Sequence, residues 1–275
     1  MGVFVKLSYA QGIPVLQIVA ARALISALIS YVDVRRKKLS VWGTRKALLF
    51  ARGAVGAIAL IFVYTALTHL PFAEATVLQY LHPMFTALLA VFFLQEKVYK
   101  NTLACIACSF LGLLMIVQPD FLLAFFESAY VTSHYPLWAI AAAIAGALGS
   151  AIAYVLVRKL NATEDSSVII FYFPIIALPL SLILLGDEIV MPQGWTWLFL
   201  LLVGVTTQMG QIGLTKAMKT EGAGKATSFS YLQVVFAMVL GIVIFSEIPT
   251  LWTVIGAVLI LVGAMVNMLP SKHRQ

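Results

Sequence analysis

Long apolar runs, each closed by a short polar or turn-forming interval, set the pattern of this chain. A bilayer core needs about 20 mostly apolar residues per helix. Runs of that kind fall near 14–33, 46–68, 71–95, 101–118, 136–157, 168–186, 195–215, 226–246 and 251–268, after a short apolar piece from Met1 to about Tyr9. Pro14, Pro71, Pro119, Pro136, Pro192, Pro249 and Pro270 mark boundaries between them. The runs are too long and too unalternated for barrel strands, so the pattern predicts membrane-spanning helices. Short connections leave no room for a soluble domain between spans.

Composition agrees with this pattern. Of 275 residues, 62% are hydrophobic and 11% charged, against about 25% charged in a soluble domain. A water-soluble globule would lack polar surface, and a disordered chain would need low hydrophobicity and high charge. Two cysteines cannot build a disulfide framework.

The net charge of +7 matters through its placement. Arg35, Arg36, Lys37 and Lys38, then Arg45 and Lys46, sit in one connection. Lys97 and Lys100, Arg158 and Lys159, Lys216, Lys219 and Lys225, and the tail residues Lys272 and Arg274 occupy alternate connections after it. The intervening connections carry Asp120, Glu127, Asp187 and Glu188 and no Lys or Arg, with Lys6 the one exception. The positive-inside rule then predicts that the basic connections and the C-terminus are cytoplasmic; the expected location is a plasma (bacterial inner) membrane, as a multi-pass protein. No basic patch is left over for nucleic acid.

The chain also resembles itself. Ala75-Thr76 and Ala226-Thr227, Tyr80-Leu81 and Tyr231-Leu232, Phe85 and Phe236, Glu96 and Glu247, Gly112 and Gly263, and Pro119 and Pro270 share one ungapped offset. The loop charges make the related spans run in opposite directions, the pattern of two inverted repeats in a secondary transporter. The expected repeats are 1–120 and 136–270. Matching Lys6 to Lys159 leaves the first half short of most of one helix, so a ten-helix design with its first helix truncated is expected.

These residues carry a family resemblance. Arg22-Ala23-Leu24-Ile25-Ser26-Ala27-Leu28, Arg52-Gly53-Ala54-Val55-Gly56 and Ala73-Glu74-Ala75-Thr76-Val77-Leu78 belong to it, with Pro83-Met84-Phe85-Thr86-Ala87 and Glu96-Lys97. Gly224-Lys225-Ala226-Thr227 and Ser246-Glu247 extend it into the second half. The chain resembles the EamA-type branch of the drug/metabolite transporter superfamily and is similar to the solute-carrier 35 group. The resemblance implies an all-α integral membrane fold of two five-helix repeats and transport of small metabolites, often by export. The chain departs from it in the incomplete first helix and in lacking an Arg in the seventh span where Arg22 has its counterpart.

Ionisable groups at membrane depth cost about 2.5–3.5 kcal/mol each on insertion scales. Arg22 and Arg52 are therefore candidates for binding an anionic or carboxylate-bearing substrate, or else structural groups tied to carbonyls, acids or headgroups. Glu74, near the end of its helix, is a candidate for gating or coupling, or a solvated group. Ala75, Gln79, His82 and Thr86 recur on one helical face; their repeat partners are Ala226, Ser230, Gln233 and Ala237, with Tyr80 and Tyr231 alongside. Gln208, Gln211 and Thr215 form a further stripe, with Tyr64 as the repeat partner of Thr215. These stripes suit a substrate cavity, and equally interhelical hydrogen bonding. His82 could couple transport to protons, or simply pack.

Cys105 and Cys108 form an isolated pair inside an apolar helix, and no nucleotide loop or catalytic carboxylate pair is found. The sequence predicts no cofactor, no metal and no enzyme. It predicts a secondary transporter of a small polar metabolite, an amino acid or organic anion, working by alternating access. A non-transporting membrane adaptor that keeps the fold is the alternative. A homodimer is compatible with the sequence.

Overall fold

The computed structural model describes residues 2–70, 78–96, 99–117, 136–245 and 251–268. Among the described residues every regular element is a helix. They are α1 (Gly2–Ala10), α2 (Val15–Arg36), α3 (Lys46–His69), α4 (His82–Leu94), α5 (Lys100–Val117), α6 (Leu137–Leu160), α7 (Ser166–Leu185), α8 (Thr196–Thr220), α9 (Ala223–Ser228), α10 (Leu232–Phe245) and α11 (Leu251–Met268). Residues Lys46–Val63 of α3 and the whole of α2, α6, α7 and α8 are long and apolar enough to cross a bilayer. Shorter apolar helices include α4, Lys100–Ile116 of α5 and Val254–Val266 of α11. The protein is an all-helical, multi-pass membrane protein.

Local chemistry places several helix ends. α2 follows Pro14 and carries Arg35 and Arg36 in its last turn, where positive charge meets the negative end of the helix dipole. The carboxylate of Asp165 caps α7 by accepting from the Ser167 N–H at 2.9 Å. Glu164 anchors the neighbouring connection: its Oε1 accepts from the backbone N–H of Thr44 at 2.7 Å and of Arg45 at 2.6 Å, and from the Thr44 hydroxyl. Burial works against the charge on Glu164, but the Thr44 hydroxyl and the two N–H groups outweigh it and hold its carboxyl below the usual range.

The described residues group into two compact units, one from 1–57 and 156–221, the other from 58–155 and 222–275. Each unit takes segments from both halves of the sequence. In the first, α2 packs on α7 and α8, and α1 on α8. Ala23, Ala57 and Ala177 form one core, with Phe173 and Ile176 against it; Ile13, Ile18, Leu200 and Val203 form another. Glycine permits the close approach: a Cβ at Gly53 would lie 2.8 Å from the Tyr172 carbonyl oxygen, and one at Gly204 2.5 Å from the Ile25 Cβ.

In the second unit α5 packs on α11 and α9 on α4. A Cβ at Gly112 would stand 2.5 Å from the Gly256 carbonyl oxygen, and one at Gly256 2.4 Å from that of Gly112. Tyr80, Leu113, Tyr231 and Ile260 form the core beside this crossing.

The offset seen in the sequence recurs in these elements. Tyr80 and Tyr231 are 151 residues apart, and the same interval carries both ends of α5 onto both ends of α11 and the start of α2 onto the start of α7. It also carries Gly43 (φ 59°) onto Gly194 (φ 52°), both left-handed. Contacts follow suit within each unit. The approach of Gly53 to Ile176 becomes that of Gly204 to Ile25, and the approach of Gly112 to Ile260 becomes that of Gly263 to Ser109.

Two predicted spans differ from expectation. The sequence pattern predicts unbroken helices over 71–95 and 226–246. Residues 71–77 lie outside the described residues, but the chain turns at Tyr80–Leu81 before α4 begins. The second span divides into α9, a tight turn of 3-10 helix at Phe229–Tyr231, and α10. At the first break Pro83 stands in the opening turn of α4, where it has no N–H to continue a preceding helix. At the second, the hydroxyls of Ser228 and Ser230 donate to the carbonyls of Lys225 (2.9 Å) and Thr227 (2.5 Å), competing with the helical ladder. Hydrophobic periodicity does not register either interruption.

Candidate substrate site

Two groups of polar and aromatic side chains stand out, one in each unit. In the first unit the two intramembrane arginines meet one ring. Arg22 on α2 and Arg52 on α3 place their guanidinium carbons 5.6 and 5.0 Å from the centroid of Phe173 on α7. Both are buried, Arg52 to 3% exposure. A cation over an aromatic face gains about 0.5–2 kcal/mol, more where water is excluded, which offsets part of the cost of burying the charge. Arg52 Nη2 also donates to Gln211 Oε1 of α8 at 3.3 Å. Gly56, one turn beyond Arg52, leaves space for this ring: a Cβ there would lie 3.1 Å from Phe173 Cδ2.

Gln208 lies in the same unit, one turn before Gln211. Its Nε2 donates to the Ser30 hydroxyl of α2 at 2.7 Å. Its buried Oε1 has no hydrogen-bond partner among the described residues, and neither has the hydroxyl of Thr207. Thr215, the last residue of this stripe, is buried, and its carbonyl accepts from Asn161 Nδ2 at 2.9 Å. This group combines fixed positive charge, an aromatic face and amide oxygens. The guanidinium groups can pair with an anion, while the unpaired Gln208 oxygen can only accept from a donor.

The second unit gathers a neutral, aromatic group around the two helix breaks. Tyr80 and Tyr231 stack with centroids 5.7 Å apart at 25°. The Tyr231 hydroxyl donates to the Tyr80 carbonyl at 2.8 Å, and Gln233 Nε2 donates to the Tyr80 hydroxyl at 2.6 Å. His82 lies 6.1 Å from the Tyr80 ring and edge-on to Tyr154 at 5.4 Å. Its buried Nδ1, and the buried Oε1 of Gln79, have no hydrogen-bond partner among the described residues. The hydroxyl of Thr86 is turned to the His82 carbonyl at 2.7 Å. Ser230 likewise spends its hydroxyl on the Thr227 carbonyl.

The structure thus brings Arg22, Arg52, Gln208 and Gln211 into one unit, and Gln79, Tyr80, His82, Ser230, Tyr231 and Gln233 into the other. Tyr64 lies on α3, with its side chain outside the described residues, as is the whole of Glu74. Sequence reasoning passed over Phe173, Tyr154 and Ser30. For Phe173 the sequence does carry a signal: it stands at the seventh-span position that corresponds to Arg22, where an arginine is lacking.

Comparison with known proteins gives this geometry a setting. The EamA-like transporter family matches residues 1–118 and 137–269. The pseudopaline exporter CntI of Pseudomonas aeruginosa is 30% identical over 254 residues, which are 92% of this chain and 86% of that protein. Solute carrier family 35 member G1 of Mus musculus is 32% identical over 259 residues, 92% of this chain and 70% of its own. The S-adenosylmethionine uptake transporter of Rickettsia felis is 27% identical over 197 residues, 71% of this chain and 62% of its own. A solved crystal structure matches 98% of this chain and 93% of its own with a TM-score of 0.79 at 20% identity, a likeness of fold.

Proposed function

The chain belongs to the EamA-like transporter family, and from that premise we propose that it is a secondary transporter of a small polar metabolite bearing a carboxylate, working by alternating access. It is a membrane transporter and not an enzyme, as its named relatives are transporters. The finer reading rests on one observation above the rest: two buried arginines share the Phe173 ring, and one of them bonds Gln211. In this reading Arg52 binds the substrate carboxylate, Gln211 holds the guanidinium in place and Arg22 adds a second charge. In the other unit Tyr80, His82 and Gln233 form a neutral hydrogen-bonding and stacking group next to broken helices of the kind transporters use around their sites.

We read 1–120 and 136–270 as inverted repeats. Supporting this are the shared offset of α5 and α11 and the paired glycine contacts. The basic connections would face the cytoplasm of a bacterial inner membrane. Export is the favoured direction, on the name of the pseudopaline exporter relative. The motive force would be a solute or proton gradient.

Uptake of a radiolabelled panel of amino acids and organic acids into proteoliposomes tests this reading. Saturable flux of a carboxylate-bearing member is expected. Flux of neutral solutes alone would overturn the carboxylate assignment, and no flux of any member would favour the adaptor.

A further inference from the structure

A cavity of about 520 Å3 opens in the first unit between α2, α7 and α8. Its wall is apolar at one end, where Leu28, Val32 and Ile212 line it. Leu28 and Val32 are 57% and 55% exposed, and on a helix that crosses a bilayer such side chains meet acyl chains. One turn further along, the lining becomes charged: Arg36 follows Val32 on α2, Lys216 follows Ile212 on α8, and Asp33 and Lys37 line it beside them. Leu28, Val32 and Arg36 lie four residues apart on one face of α2, so the change from apolar to charged takes place over roughly 12 Å.

The charges at this end divide into satisfied and free. Lys37 Nζ lies 3.1 Å from Asp33 and 3.3 Å from Asp165. It also donates to the Ser167 hydroxyl at 2.6 Å, while that hydroxyl donates to Asp33. Burial works against the Lys37 charge, but Asp33 and Asp165 outweigh it and raise its pKa. Arg36 and Lys216 have no ion-pair partner among the described residues. A trough that is apolar at depth and carries two unpaired cations at its rim matches a phospholipid whose headgroup is negative.

We propose that this cavity binds an anionic phospholipid, with the phosphate between Arg36 and Lys216 and an acyl chain along Leu28, Val32 and Ile212. A zwitterionic headgroup would bring its own cation against these two. A free phosphate would use the rim and leave the apolar wall unused. The site is independent of which solute the protein carries, so it stands or falls apart from the transport reading.

Native mass spectrometry of the purified full chain in detergent, titrated with phosphatidylglycerol, phosphatidylcholine or glycerol 1-phosphate, tests the proposal. Phosphatidylglycerol should bind about tenfold more tightly than phosphatidylcholine, the equivalent of about 1.4 kcal/mol, and glycerol 1-phosphate should not be retained. Arg36→Gln with Lys216→Gln should reduce phosphatidylglycerol to the phosphatidylcholine level, while Arg36→Lys with Lys216→Arg should keep the preference. Equal binding of the two lipids to wild type would overturn the proposal, as would an undiminished preference in the Gln variant. Retention of glycerol 1-phosphate as strong as that of the lipid would overturn it in favour of a free phosphate ligand.

Discussion

The hydroxyl of Tyr231 donates to the backbone carbonyl of Tyr80 at 2.8 Å, across 151 residues of sequence, and the two rings stack. Residues that correspond by the internal offset therefore touch one another. Arg22 and Phe173 do the same in the other unit, with the guanidinium over the ring. Tyr231→Phe should keep the stack and lose the bond. A buried hydrogen bond contributes about 0.5–1.5 kcal/mol, so the thermal midpoint in detergent should fall by roughly 2–5 °C. An unchanged midpoint would show that the Tyr80 carbonyl finds another donor.

The crossing of α5 and α11 depends on two glycines. Gly112→Ala would put a Cβ 2.5 Å from the Gly256 carbonyl oxygen, a backbone atom that cannot rotate away. A loss of about 1–3 kcal/mol is expected, seen as a lower denaturation midpoint. Gly210→Ala is the control, since nothing among the described residues lies within 4 Å of its added Cβ. There, replacing a mid-helix glycine should be neutral or stabilising by up to about 1 kcal/mol. Equal effects at the two positions would remove the packing argument.

Much of this architecture is legible in the sequence, and the reasons some is not are physical. Apolar run length marks the helices, and the offset that ties Tyr80 to Tyr231 is visible as identities. The breaks at Tyr80–Leu81 and Phe229–Tyr231 are hidden because a local turn leaves the apolar content of the run unchanged. The grouping into units is hidden as well. Each unit combines helices from both halves of the chain, so Phe173 meets Arg22 and Arg52 through packing that no local pattern encodes. Ser30 is missed for the same reason: it matters only because Gln208 reaches it from α8.

Acid should loosen the connection at residues 44–45. The Glu164 carboxyl is held below its usual range by hydrogen bonds to its charged form, so this anchor is fully present above the unfolded value of about 4.3. It is lost as pH falls through the lowered folded value. Hydrogen exchange at the Thr44 and Arg45 amides should therefore be slow at neutral pH and rise, beyond the intrinsic pH effect, only in strong acid. Glu164→Ala should make both amides exchange fast at neutral pH. Protection unaffected by that substitution would contradict the anchor.

In the proposed transport site the arginine pair on Phe173 binds the carboxylate of the solute. Concentration-dependent flux of a carboxylate-bearing substrate through proteoliposomes, compared between wild type and Arg52→Ala at equal insertion, tests it most directly. A charged hydrogen bond contributes about 1.5–3 kcal/mol, so KM should rise about 10- to 100-fold in the variant. Arg52→Lys should recover only part of the loss, because a point charge lacks the planar fork. Undiminished flux and an unchanged KM in Arg52→Ala would contradict the account.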